Sequence, residues 1–248
     1  MGKDSSSEPA ADTGDQLFFT ELTGILGAGP ADPETLRAGA RHVCAHPAEF
    51  RSWLLNSCAD EEWVARTVAR SYWHPNGFAK LTLHIFPESD FRIRLHVWPP
   101  VAGEAVGESN PHSHRWDFAS TVVAGRGMHM VEYEESASGR PYHRFRYGAD
   151  PENSAVLQAD GQAQLKKVGT PHVWRGGIYT CVSDIVHTAV LVDNGLTATV
   201  VVQGPHRTRT TVVYREPGQS DDQPNRPLSE SDFHLLVREV VTGWEKDA

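Results

Sequence analysis

The chain is poor in cysteine. Its 248 residues include only Cys44, Cys58 and Cys181. An odd number, widely spaced and without CxxC pairs, excludes a disulfide framework and a thiolate-built structural zinc site. That usage suits a reducing compartment, so a cytoplasmic protein is expected. Long hydrophobic runs are also lacking. None approaches the roughly 20 residues needed to cross a bilayer, and no membrane-spanning segment is expected. The start, MGKDSSSEPAADTGDQ, has no basic stretch ahead of an apolar core, so no secretory signal is expected. Basic blocks are missing as well. With 23 Lys and Arg against 32 Asp and Glu, a net charge of −9, nothing is present to neutralise phosphates, which argues against a nucleic-acid partner. The abundant residue is histidine, 13 in all, the commonest metal ligand and a near-neutral acid–base group.

Residues 1–14 are polar and Ser/Asp/Gly/Pro-rich, a composition that predicts disorder. Residues 15–248 read as one domain. Its first part, 15–72, is a helical layer: Asp32-Pro33 and Asp60 cap helices, and His46-Pro47 opens another. After Asn76-Gly77 the hydrophobic period changes from 3.6 to 2. Short strand-like runs follow over 77–216, among them FAKLTLHIF, FRIRLHVW, GMHMVEYEE, YHRFRY, TCVSDIV and TATVVVQG. About ten antiparallel strands at this spacing predict a mainly β protein, a β-barrel or double-sheet jelly roll. Residues 229–245, opened by Ser229-Glu230-Ser231-Asp232, predict a C-terminal helix packed on the barrel.

The chemistry concentrates in Asn110-Pro-His112-Ser-His114-Arg-Trp-Asp-Phe118. Residues i and i+2 of a strand share a face, so an HxH entering a strand aims two imidazoles at one point. A second segment, Gly176 to Val190, holds His187 in a β-rich run where a barrel would bring a third imidazole to the pair. Three neutral imidazoles suit iron, zinc, nickel or copper, and ligand type alone does not select among them.

These two segments resemble the motifs of the cupin superfamily, G(X)5HXH(X)3-4E(X)6G and G(X)5PXG(X)2H(X)3N. His112, His114 and Gly125 match the first, with Gly107 one residue closer than the motif has it; Gly176 and His187 match the second. Phe118 stands where the family has a glutamate ligand, and Val182 and Asp184 replace the second motif's Pro and Gly. The resulting three-histidine set is similar, over roughly residues 70–205, to the thiol (cysteine) dioxygenase group. That resemblance implies a cupin-type barrel with iron(II) on one face, open positions for substrate and O2, and a small anionic substrate, a cysteine-like or other amino acid. It also implies a carboxylate-binding cation near Lys80. Thr199, Val201 and Gln203 stand in place of that group's Ser-X-His-X-Tyr network, and Phe118 in place of its cross-linking cysteine. These departures keep two rivals open: a non-redox metal enzyme (isomerase, lyase or condensing enzyme) and a non-catalytic ligand-binding cupin. Cupins often dimerise, so a homodimer is a further expectation.

Other residues carry double readings. His96 is a third ligand, an acid–base group beside the metal, or a solvent-facing strand residue. Tyr179 is a packing residue or a proton donor. Lys80 and Arg94 are solvated strand charges or an inward carboxylate clamp. Cys181 lines the pocket or fills the core, and Gln203, at the end of the Thr199–Gln203 stretch, is a candidate substrate-binding residue. Asn110, Ser113, Asp117 and Asp184 are candidates to fix imidazole tautomers. Asp117 would itself ligate only across a bulge.

Overall fold

Apolar and polar residues alternate along most of the strands, and two packed sheets result. A computed structural model describes residues 14–28, 30–102, 110–148, 156–219 and 225–246. The expected disorder of residues 1–14 falls on positions that, Gly14 apart, lie outside the described residues, as does Gly107.

Four helices come first: α1 (Gly14–Ala28), α2 (Pro33–Ala45), α3 (Pro47–Ser57) and α4 (Glu61–Val68). The Asp32 carboxylate accepts from Thr35 N, and that of Asp60 from Glu62 N and Trp63 N, so both caps satisfy amides that a helix start leaves open. Twelve strands follow: β1 (Tyr72–His74), β2 (Phe78–Ile85), β3 (Arg92–Trp98), β4 (Trp116–Ala124), β5 (Gly127–Gly148), β6 (Val156–Gly169), β7 (His172–Trp174), β8 (Ile178–Cys181), β9 (Val186–Leu191), β10 (Thr197–His206), β11 (Thr210–Arg215) and β12 (Arg226–Pro227). The last element is α5 (Glu230–Lys246). Ser229 Oγ accepts from Asp232 N, while an Asp232 carboxylate oxygen accepts from Ser229 N, a reciprocal cap.

One sheet has the order β12-β1-β2-β3-β10-β4-β8; the other is β11-β5-β6, with β7 and β9 also paired to β5. All the strand pairings are antiparallel. The fold is the expected mainly β one, a double-sheet barrel of jelly-roll type with helices on one face. The larger sheet is buried on both sides. Ile93, Leu95 and Val97 of β3, with Val200 and Val202 of β10, pack against Leu22, Leu36, Phe50, Phe233 and Leu236 of the helices. The alternate residues face the second sheet, where Trp98, Phe118 and Val201 meet Met128, Met130, Val173 and Ala189.

Four local expectations are corrected. GMHMVEYEE and YHRFRY are one strand, β5, which stays paired to β6 across a bulge: Glu135 and Arg140 both face Leu165. Similarly, AVLQA and QAQLKKV, which the period of 2 predicts as two separate strands, fall in the single strand β6, kinked at Gly161, whose φ is +94. TCVSDIV is not one strand, because a turn at Val182–Ile185 separates β8 from β9 and the buried Asp117 carboxylate accepts the Ser183 amide, 2.8 Å. The HxH lies ahead of β4 rather than within a strand.

Candidate metal centre and adjoining cavity

His112 and His187 are joined backbone to backbone before their side chains meet. His112 N donates to His187 O at 3.0 Å, and His187 N donates to His112 O at 2.9 Å. Tyr214 N also donates to Pro111 O, Ser113 N to Val212 O, and His114 N to Ser183 O. The HxH segment is therefore stitched to β9, β11 and the β8–β9 turn, a local bridge in place of the regular strand periodicity.

From this frame the three imidazoles converge. Their ligand atoms all lie within 4.8 Å of one another, and His114 Nε2 is 3.0 Å from His187 Nε2. Two nitrogens each about 2.1 Å from one ion and at right angles would be about 3.0 Å apart, so the pair fits a shared metal. Without an ion the same contact is a single N–H···N hydrogen bond. His112 Nδ1 donates to the Asn110 carbonyl at 2.9 Å, which leaves its Nε2 lone pair for a ligand. Burial holds His114 and His187 well below the ordinary imidazole pKa, hence neutral and competent as ligands.

The cluster opens onto a cavity of about 50 Å³ between the sheets. His114, His187, Phe118 and Tyr179 line one part of it; Met128, Met130, Val173, Ala189 and Val201 supply apolar walls. Lys80, Arg94 and His96 reach it from β2 and β3. Arg94 is 8% exposed, and its guanidinium meets no acceptor among the described residues; its Nε is wholly buried. The Trp116 indole lies among the cations, its ring centre 5.1 Å from the Arg94 guanidinium carbon, 5.4 Å from Lys80 Nζ and 5.6 Å from the Arg115 guanidinium carbon. His96 Nε2 is buried without a partner, and burial likewise pushes its pKa far down.

Other residues singled out from the sequence lie elsewhere. Cys181 does not line the cavity; its Sγ sits 3.5 Å from His187 Nδ1, and burial raises its pKa. Gln203 is fully buried on β10 and does not line it either. Tyr179 donates to Glu132 Oε1 at 2.9 Å with His187 Nδ1 3.4 Å away, and burial raises its pKa steeply. Asp117 binds Ser183 N and Arg207 rather than an imidazole, Ser113 Oγ meets Thr211 Oγ1, and Asp184 is exposed. Glu132 escaped the sequence reading, since one glutamate in EYEE has no local signal and only its pairing with His187 brings it near.

In a second cluster, Glu21, His42 and His46, both imidazoles are engaged with backbone carbonyls: His42 Nε2 donates to Phe18 O and His46 Nδ1 to His42 O, both at 3.0 Å. No helix among the described residues is long and apolar enough to cross a membrane.

No protein-family model and no curated protein matches the chain. Solved structures similar to it include a cupin domain from Bordetella pertussis, 16% identical over 52% of this chain and 94% of that one, TM-score 0.30. A sugar phosphate isomerase of the cupin superfamily from Silicibacter pomeroyi is 14% identical over 62% and 82%, TM-score 0.31. An oxalate oxidase in complex with the substrate analogue glycolate is 16% identical over 70% and 74%, TM-score 0.31. Likenesses this distant say nothing of substrate or reaction.

Proposed function

We propose that this chain is a metal-dependent enzyme, a mononuclear non-haem iron oxygenase acting on a small anionic substrate with O2 as co-substrate. One observation carries the reading: a buried, acceptor-less arginine shares one small cavity with His114 and His187, two members of a converging three-histidine set. His112, His114 and His187 would hold the ion. When bound, iron would supply a Lewis-acidic, redox-active centre, left more positive by three neutral imidazoles than by a set containing a carboxylate.

The protein's own groups have distinct tasks. Arg94 and Lys80 bind and orient a carboxylate, because burying that anion beside them satisfies the otherwise unmet donors of Arg94 and adds the Lys80 charge. Met128, Met130, Val173 and Val201 exclude water around its body. His96, neutral and unpartnered, can hold or move one proton at Nε2. The cavity, about 50 Å³, is small and suits a substrate such as a cysteine-like or other small amino acid.

Metal analysis and anaerobic substrate-binding spectra test this. Stoichiometric iron is expected in wild-type protein prepared with iron as the supplied metal, and its loss in His112→Ala and His187→Ala; wild-type protein that takes up no metal ends the reading. Non-redox metal chemistry is the second reading, favoured by a cavity wall that presents Thr199 and Val201 and no phenol from β10. Turnover that proceeds unchanged under argon selects it.

A further inference from the structure

Behind the candidate metal centre lies a connected run of polar groups that the ligand set does not include. His187 Nδ1 lies 3.4 Å from the Tyr179 hydroxyl, which lies 2.9 Å from Glu132 Oε1. A phenol has one hydrogen. The shorter contact, to a carboxylate that only accepts, claims it, so Tyr179 receives rather than donates at His187. His187 then carries its proton on Nδ1, and its Nε2 lone pair points to His114 Nε2. The same tautomer is fixed independently at His112 by the Asn110 carbonyl. Two of the three imidazoles thus present Nε2 because of what holds their far side.

We infer that Glu132 and Tyr179 form a positioning relay for His187: carboxylate to phenol to imidazole, setting the tautomer and orientation of that ligand and lending it negative charge. Several features support this. Glu132 pairs with no lysine or arginine among the described residues, so its charge is not spent on a surface ion pair. It sits directly across the β5–β9 ladder from His187, so the sheet fixes the distance between them. Tyr179 is buried at the end of that span, on β8. The motif's glutamate is absent from position 118, where Phe118 stands; the relay supplies a carboxylate one layer further from the ion. Carboxylate or carbonyl partners of this kind raise the basicity of a ligating imidazole, and their loss typically weakens metal affinity by about 10- to 100-fold. Cys181 Sγ, 3.5 Å from the same nitrogen, is a poor competitor, because a thiol is a weak acceptor and its own hydrogen is directed at Val182 O.

The inference rests on His187 being a ligand, and the test separates the two claims. Iron(II) and zinc(II) affinities are measured by chelator competition for wild type, Glu132→Gln, Tyr179→Phe and the double variant, with folding checked by circular dichroism. Each single variant is expected to lose about tenfold or more, and the double variant to lose no more than Tyr179→Phe, since the links act in series. Additive losses, or losses under twofold, overturn the relay. Cys181→Ala is expected to change affinity less than twofold; a tenfold loss there would move the role to the thiol and overturn the assignment. Nitrogen-15 spectra of the imidazoles in metal-free protein give a readout independent of any ion. His187 is expected as the Nδ1–H tautomer in wild type and shifted towards Nε2–H in Tyr179→Phe; Nε2–H in wild type refutes the relay. Should wild type bind no metal, the proposed function falls while the tautomer measurement still decides the relay.

Discussion

Burying an arginine away from carboxylates is costly, and Trp116 is what offsets that cost at Arg94. Contacts of a cation with an indole face contribute about 0.5–2 kcal/mol each, and three cations lie around this one ring. Burial lowers the Arg94 pKa to about 10, which keeps the guanidinium charged at neutral pH and eager for an anion. Arg94→Leu is therefore expected to weaken binding of a small carboxylate by about 10- to 100-fold, the scale of a lost charge-assisted hydrogen bond, with metal content unchanged. Titration calorimetry alongside metal analysis checks both halves. His74 gives a pH prediction. Its ring stacks on Phe78, its Nδ1 accepts from Asn76 N, and burial, with help from Lys80 and His112, lowers its pKa to about 3. A group whose folded pKa lies below its unfolded value of about 6.5 contributes fully above that value and progressively less as pH falls towards 3. Metal-free protein is expected to lose up to about 3 kcal/mol between pH 6.5 and 4 through this residue. Urea unfolding at both pH values should show a smaller loss in His74→Gln.

Elements made of regular alternation were legible from the sequence, and those made by tertiary bridging were not. Along β3 and β10 one parity of residues meets the helices and the other meets the cavity, a period-2 signal visible in RIRLHVW and TATVVVQG. Asp32, Asp60 and Ser229 act through neighbours three residues away, so those helix starts were visible too. The turn at Val182–Ile185 was hidden because its amide is satisfied by Asp117, 66 positions earlier. β1 and β12 were hidden for a related reason, since such short segments persist only by pairing, β12 with β1 across the chain and β1 also with β2. The histidine pattern marked the cluster, but Glu132 could not be seen without the β5–β9 register. Asp117 ties β4 to that turn and to Arg207 while buried. Asp117→Ala should cost about 2–3 kcal/mol by stranding the Ser183 amide. Chemical denaturation measures that cost, and a change below 0.5 kcal/mol would contradict the tie.

At the scale of the whole molecule, the helices complete the larger sheet. Phe233, Leu236, Val237, Val240 and Trp244 of α5 are buried in the same cluster as the outer residues of that sheet. At about 1.5–3 kcal/mol per large side chain, their burial is comparable with the net stability of a typical domain. A chain ended before Ser229 is expected to lose its cooperative thermal transition and to bind the dye ANS; a sharp transition near the full-length Tm would contradict that dependence. The reciprocal backbone pairing of His112 with His187 carries a different consequence. Because backbone hydrogen bonds of the barrel tie the segments that carry these imidazoles, the framework of the socket does not depend on its occupant for assembly. Such a socket does little to discriminate among first-row divalent ions beyond their common order of affinity, so its occupant follows supply. Protein made in zinc-rich medium and protein made in iron-rich medium should emerge as two differently loaded forms of one unchanged fold.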